Sequence, residues 1–313
     1  MIFNVFRYTH ISGTDGLPLS VLRIESNEAK PIKGIVQISH GMCEHKERYV
    51  DFMKYLASNG YITVIHDHRG HGESVRSPKD RGYMYEGGYK ALVEDLHEIT
   101  VETKKYVSEE LGFKDLPFIL LGHSMGSLTV RCYIKNYDYE LDRLCVLGCP
   151  SKMGGLKPGL MLIRLLEAIK GAKSLSKLID YIVSDSRCKN KFIADGPAGW
   201  LSSNPDVCTK YLEDPLCRFR FTLGGYEDLV RLIIWTYSEG GYALKNPGLK
   251  IKFFSGKDDP CAISYKNLRE AMLLLKRSGY RNVSGKMYKG MRHEILNERE
   301  NKRVYKDILD FIS

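Results

Sequence analysis

The chain has 313 residues, 43% of them hydrophobic and 27% charged, with a net charge of +9. That balance excludes a disordered or fibrous protein and allows one large α/β domain or two small ones. Lys and Arg are spread along the chain with no run that reads as a nucleic-acid-binding arm, and the longest apolar run, "GLMLIRLL", is too short and too charged to span a bilayer.

The opening reads as two strands, "NVFRYTH" and "LPLSVLRIES", joined by the turn "SGTDG". "KGIVQISHG" is a third strand. "YVDFMKYLASNG" is a helix with apolar residues at helical spacing and a terminal Gly as its stop. The strand "YITVIHDHRG" follows, then the amphipathic helix "ALVEDLHEITVETKKYV". "LPFILLGHS" is nearly all apolar, as a strand buried on both faces should be. "SLTVRCYIKNY" is helical and "LDRLCVLGCP" is strand. The alternation breaks after Pro150, and residues 151–245 show helical periodicity without a clear strand. It resumes with the strand "LKIKFFSGKDD", a helix from Ile263, the strand "NVSGKMYKG" and a last helix from about Asn297 to Ile312. This predicts an α/β fold, a mostly parallel sheet flanked by helices, with residues 1–150 and 246–313 as the core and 151–245 as an inserted helical cap.

The eight cysteines are scattered and several lie in apolar runs, which predicts buried reduced thiols. The first residues lack a basic segment followed by an apolar one, so the expected location is the cytoplasm.

"GHSMGS", residues 122–127, follows a buried strand and precedes a helix, the setting of a nucleophile elbow. Ser124 is then pushed up at the edge of the sheet. Gly122 and Gly126 remove side chains that would collide with the neighbouring strand and helix, and His123 completes the elbow. A serine hydroxyl needs a base, and the base needs an orienting carboxylate. On such a frame the chain order is serine, acid, histidine. His293, in "KGMRHEILNE", is the histidine that follows Ser124. "FFSGKDDPC" offers two acids, Asp258 and Asp259. Pro260 biases the residue before it toward extended backbone, which favours Asp259. The backbone N–H groups of Met125 and of Met42, in "SHGMCEH", are the expected donors to an oxyanion.

With those residues identified, the chain resembles the monoacylglycerol lipase and lysophospholipase branch of the α/β-hydrolases. The matching motifs are "SHGMCEHKERY", "DHRGHGES", "GHSMGS", "GKDDP" and "GMRHEILNE", in the family's order. The resemblance implies a serine acyl-hydrolase with a lid and with neither metal nor organic cofactor. It implies Ser124 as nucleophile, His293 as base and Asp259 as orienting acid, with Asp67, Arg69 and His71 holding loops. The expected partner is a small acyl ester or lipid, with no nucleic acid and no obligate protein partner. The apolar face Leu160, Ile163, Leu166 and Ile169 either packs on the frame or meets acyl chains or a membrane surface.

Three other readings remain. "HDHRGH" is similar to a zinc motif, but Gly70 stands where that motif has Asp. A peptidase can use the same frame and residues, and the fold alone also admits a ligand binder without chemistry.

Overall fold

A computed structural model describes residues 2–28, 31–185, 190–262 and 264–313. Ile263, expected to open a helix, and residues 186–189 of the expected cap lie outside the described residues.

The elements follow the expected order. Strands β1 (Phe3–Ile11), β2 (Pro18–Ser26) and β3 (Gly34–Ser39) lead to helix α1 (Val50–Ser58) and strand β4 (Tyr61–His66). Helix α2 (Gly88–Glu109), strand β5 (Phe118–His123), helix α3 (Met125–Tyr137) and strand β6 (Arg143–Leu147) complete the first half. Among the described residues four α-helices follow: α4 (Leu156–Lys170), the single turn α5 (Lys177–Asp180), α6 (Pro205–Glu213) and α7 (Leu223–Thr236). The described part of 151–245 contains no strand. Strand β7 (Lys250–Gly256), helix α8 (Tyr265–Arg277), strand β8 (Asn282–Tyr288) and helix α9 (Asn301–Ile312) close the chain.

The strands form one sheet in the order β1-β2-β4-β3-β5-β6-β7-β8. β1 runs antiparallel to β2 and β2 to β4, and every later pairing is parallel. Strands β3, β4 and β5 are buried at every residue, as strands covered on both faces require. On one face α1 and α9 bury Phe52, Met53, Leu56, Val304 and Ile308. On the other, α2, α3 and α8 bury Leu92, Leu96, Leu128, Leu268 and Leu275. The core thus forms two apolar layers, one on each side of the sheet.

The last helix starts at Asn301 rather than near Asn297. The intervening residues turn, with Asn297 N–H bonding Glu294 O at 2.8 Å, and this frees the Glu298 side chain for the loop before it. The long apolar stretch after Leu160 divides at Gly171, whose φ of +87° ends α4. Ile163 of that helix is 1% exposed. Leu160 and Leu166 pack against the core, while Ile169 faces out together with Met161 and Leu165.

Candidate active site

β5 ends at His123 and α3 begins at Met125, so a single residue turns the chain. That residue, Ser124, has φ 52° and ψ −116°, strained for a side chain with a Cβ. Its N–H bonds Leu147 O at 3.0 Å, tying the turn to β6. The turn is feasible only because its flanks are bare. A Cβ on Gly122 would meet Gly126 O at 2.4 Å, and one on Gly126 would meet Ser39 O at 2.0 Å.

The structure brings the three expected side chains together. His293 Nε2 lies 2.8 Å from Ser124 Oγ, and His293 Nδ1 lies 3.0 Å from both oxygens of Asp259. Asp259 is 2% exposed and its Oδ1 also accepts the Cys261 N–H at 2.8 Å. Asp258 is half-buried and its carbonyl accepts from Lys191 at 3.2 Å, so of the two candidate acids Asp259 is the one that meets the imidazole. A carboxylate on Nδ1 leaves Nε2 free to accept a proton, so the arrangement can move a proton from hydroxyl to imidazole.

Met42 and Met125 line the same cavity as Ser124 and His293. The Met125 N–H opens a helix, where amides lack intrahelical acceptors. His40 governs the other amide. Its Nδ1 is 2.8 Å from Gly41 O and its Nε2 accepts the His68 N–H at 2.9 Å. A carbonyl can only accept, so Nδ1 carries the proton and the ring is neutral. Burial, with His71 nearby, holds His40 well below the ordinary histidine value. Because a trans peptide points its C=O and N–H in opposite directions, fixing Gly41 O aims the Met42 N–H.

The loop "DHRGHGES" is structural in its contacts. Asp67 accepts from the Lys46 N–H at 2.7 Å, Lys46 Nζ at 2.8 Å and the Glu73 N–H at 2.9 Å. Arg69 is buried against Asp95, with Nε 2.8 Å from Oδ2. His66, His68 and His71 are buried and held below the usual range by desolvation, His66 at about 3 and His71 at about 4. Their ring nitrogens do not converge on one point as metal ligands would. Among the described residues the ligand-type clusters are instead Asp259, Cys261 and His293, and His45, Asp214 and Cys217.

The cavity measures about 680 Å³ and exposes more apolar than polar surface, with Met42, Leu128, Met153, Trp200, Phe219 and Leu229 in its wall. The Trp200 ring lies 5.3 Å from the His293 ring. The segment carrying Trp200 is bound to the loop carrying His293. Glu294 N–H donates to Leu201 O at 2.7 Å, Arg292 donates to Gly199 O and to Ser202 O, and Glu298 accepts from both Ser203 N–H and Arg292 N–H.

The sequence reading passed over the charged groups beneath the site. Glu44, Arg48, Tyr49 and Glu294 form a buried network in contact with His123. The signal lay in "CEHKERY" and in the Glu after His293, charged residues inside otherwise site-forming stretches.

The family profile Hydrolase_4, described as "Serine aminopeptidase, S33", matches residues 30–300. The chain belongs to this family of α/β-hydrolases. This hydrolase is similar to a monoacylglycerol lipase of Mycolicibacterium smegmatis, 27% identical over 282 residues that span 90% of this chain and 88% of that one. It is also similar to the phospholipase YtpA of Bacillus subtilis, 25% identical over 88% of this chain and 93% of that one. Among solved structures, a thermostable carboxyl esterase from Bacillus coagulans superposes with a TM-score of 0.82 at 24% identity, covering 100% of this hydrolase and 98% of that chain.

Proposed function

We propose that this chain is a carboxylic ester hydrolase of the monoacylglycerol lipase and lysophospholipase type, working through a Ser124–His293–Asp259 triad. One observation carries the reading: the unbroken hydrogen-bonded line from Asp259 through His293 to Ser124 Oγ, opening into a largely apolar cavity. The names of the relatives, a monoacylglycerol lipase and a phospholipase, point to the same substrate class.

In the proposed reaction His293 Nε2 takes the Ser124 proton as Oγ attacks the ester carbonyl. The Met42 and Met125 amides receive the oxyanion; one such donor is worth about 3–4 kcal/mol of transition-state stabilisation. The proton passes from His293 to the leaving alcohol, which leaves an acyl-Ser124. Water then gives a proton to His293 and attacks the acyl carbon; as the bond from that carbon to Ser124 Oγ breaks and the fatty acid leaves, His293 returns the proton to Oγ. Asp259 stays ionised and fixes the imidazole tautomer.

Residues 151–245 act as a cap over the 1–150 and 246–313 core. Met161, Leu165 and Ile169 are 72%, 59% and 71% exposed and lie at i, i+4 and i+8 of α4. Leu175, Leu178, Tyr181 and Ile182 are exposed as well, and the last two line the cavity. Exposed Lys157, Lys170 and Lys177 flank these apolar residues. An exposed apolar stripe edged with lysines, together with exposed apolar residues that line the cavity, suits transient docking on an anionic bilayer. Among the described residues no helix is long and apolar enough to cross a membrane. The cytoplasm fits the five buried thiols among the described residues, Cys132, Cys145, Cys149, Cys208 and Cys217.

The family profile's description raises a peptidase as the second reading. A panel of acyl esters of increasing length, with monoacylglycerols, lysophospholipids and aminoacyl anilides, separates the two. Ester turnover lost in Ser124→Ala, with thermal unfolding nearly unchanged, supports the proposal. Turnover retained in that variant, or cleavage of anilides alone, overturns it.

A further inference from the structure

We propose that His123 is a positioning residue: an imidazolium clamped between Glu44 and the His293 backbone, it locks the oxyanion loop to the loop of the general base. The inference rests on the triad reading above and goes beyond it.

The protonation follows from hydrogen-bond geometry. His123 Nδ1 is 3.1 Å from Glu44 Oε1, and His123 Nε2 is 3.3 Å from His293 O. A peptide carbonyl only accepts, so Nε2 carries a proton. Glu44 also only accepts. It already receives the Gly41 N–H, the Tyr49 hydroxyl at 2.9 Å and Arg48 NH1 at 2.9 Å, donors that suit a carboxylate. Nδ1 therefore carries a proton too. With both nitrogens donating, the ring is cationic. Its surroundings agree: burial works against the charge, but the Glu44 hydrogen bond and charge, with Glu294 behind them, carry His123 above its ordinary value. Glu44 is held far below the usual carboxylate range by His123 and Arg48 against the opposing effect of burial.

The charged and titratable groups facing His123 come from three segments. Glu44, Arg48 and Tyr49 lie on the stretch after β3, His293 and Glu294 lie on the loop after β8, and Ser124 follows His123 itself. Arg48 closes the circuit with NH1 and NH2 each 2.7 Å from a Glu294 oxygen. Two carboxylates, one guanidinium and one imidazolium cancel, which makes a buried neutral set. Two of its members also hold a backbone group of the site, Glu44 the Gly41 N–H, beside the peptide that supplies the Met42 amide, and His123 the His293 carbonyl. Glu294 follows the proposed base, and His123 precedes the proposed nucleophile.

Loss of the His123 proton at alkaline pH breaks the set. A neutral ring can donate from one nitrogen only, so it keeps either Glu44 or the His293 carbonyl. The network then carries an uncompensated buried carboxylate, and of the two links between the loops only Arg48–Glu294 remains intact. Turnover falls at high pH by loss of alignment, with substrate binding little affected.

Two measurements test this. In [15N]histidine-labelled protein the His123 signals are identified by their disappearance in His123→Gln. At neutral pH both ring nitrogens should show the shifts of an imidazolium, and a single protonated nitrogen overturns the proposal. In steady-state kinetics His123→Gln should lower kcat about ten- to a hundredfold, below the roughly 10²–10³ of losing an oxyanion donor outright, with KM little changed. The variant should also lack the wild-type alkaline limb. An unaltered alkaline limb, or wild-type kcat, overturns it. The nitrogen signals need only folded wild-type protein, so misfolding of the variant leaves the protonation test standing, with assignment then by correlation to the Ser124 amide. Retained turnover in Ser124→Ala refutes the triad without touching the His123 measurement, which keeps the two failures apart.

Discussion

Replacing Gly126 by Ala adds one carbon at the most crowded point of the turn around Ser124, the proposed nucleophile. The new Cβ would lie 2.0 Å from Ser39 O and 2.6 Å from His40 O, both backbone atoms at the end of β3. Carbon and oxygen approach comfortably to about 3.3 Å, so α3 and β3 must part by roughly 1.3 Å. No side-chain rotation relieves a backbone contact. Overpacking of this kind costs about 1–3 kcal/mol of stability. The larger effect is on rate, because the displaced elements carry Ser124 on one side and the His40–Met42 loop on the other. A misplacement of about 1 Å costs around 10²-fold in turnover. Urea unfolding and p-nitrophenyl butyrate hydrolysis read the two effects separately. Gly159→Ala is the control: nothing stands within 4 Å of a Cβ there, and the site is inside α4. It should keep wild-type turnover and gain up to about 1 kcal/mol. Wild-type kcat/KM and stability in Gly126→Ala would show that the turn is looser than this contact implies, and the close-approach argument would fail.

Asp259→Asn should reduce kcat by about 10⁴-fold by spoiling the imidazole tautomer, whereas Asp258→Asn should change it little; the reverse ranking in ester hydrolysis refutes the choice of acid. Serine at Met161, Leu165 and Ile169 together should weaken binding to anionic vesicles roughly a hundredfold, at about 1 kcal/mol for each side chain taken half out of water, with hydrolysis of a short soluble ester unchanged. Equal sedimentation with vesicles would remove the docking surface. His10 lies between Glu102, 2.7 Å from Nδ1, and Glu98, 2.9 Å from Nε2, and the Glu102 bond outweighs partial burial to raise it to about 9. A raised folded value stabilises fully below pH 6.5 and is lost as pH climbs through about 9. The difference in Tm between wild type and His10→Gln should therefore be greatest in mild acid and fade above that value, and a difference independent of pH would contradict the pairing.

The order of elements was legible because parallel strands covered on both faces leave continuous apolar runs. "FILL" in β5 and "YITVI" in β4 have no solvent side to break them. The glycines around Ser124 were readable for a related reason: each marks a place where backbone meets backbone. Local signals served less well where long-range contacts decide. The apolar residues of α4 divide between inside and outside by where α7 and the core happen to lie, so periodicity alone did not single out Met161 and Leu165. The start of α9 moved because Glu298 is drawn to Arg292 and Ser203. The Glu44–Arg48–Glu294 network joins residues far apart in the chain, and a buried pair of opposite charges looks in sequence like two ordinary surface residues.

The bonds between residues 199–203 and the His293 loop bear on how a new specificity could be grafted. Leu201 O receives Glu294 N–H, and Glu298 holds Ser203 as well as Arg292. A donor segment spliced in at residues 151 and 245 would sever these bonds, leaving the proposed general base without its outer support. A chimera that exchanges α4 and α5 alone, and retains the stretch from Gly199 to Ser203, should alter the wall of the cavity while preserving the hydrogen bonds that hold the His293 loop.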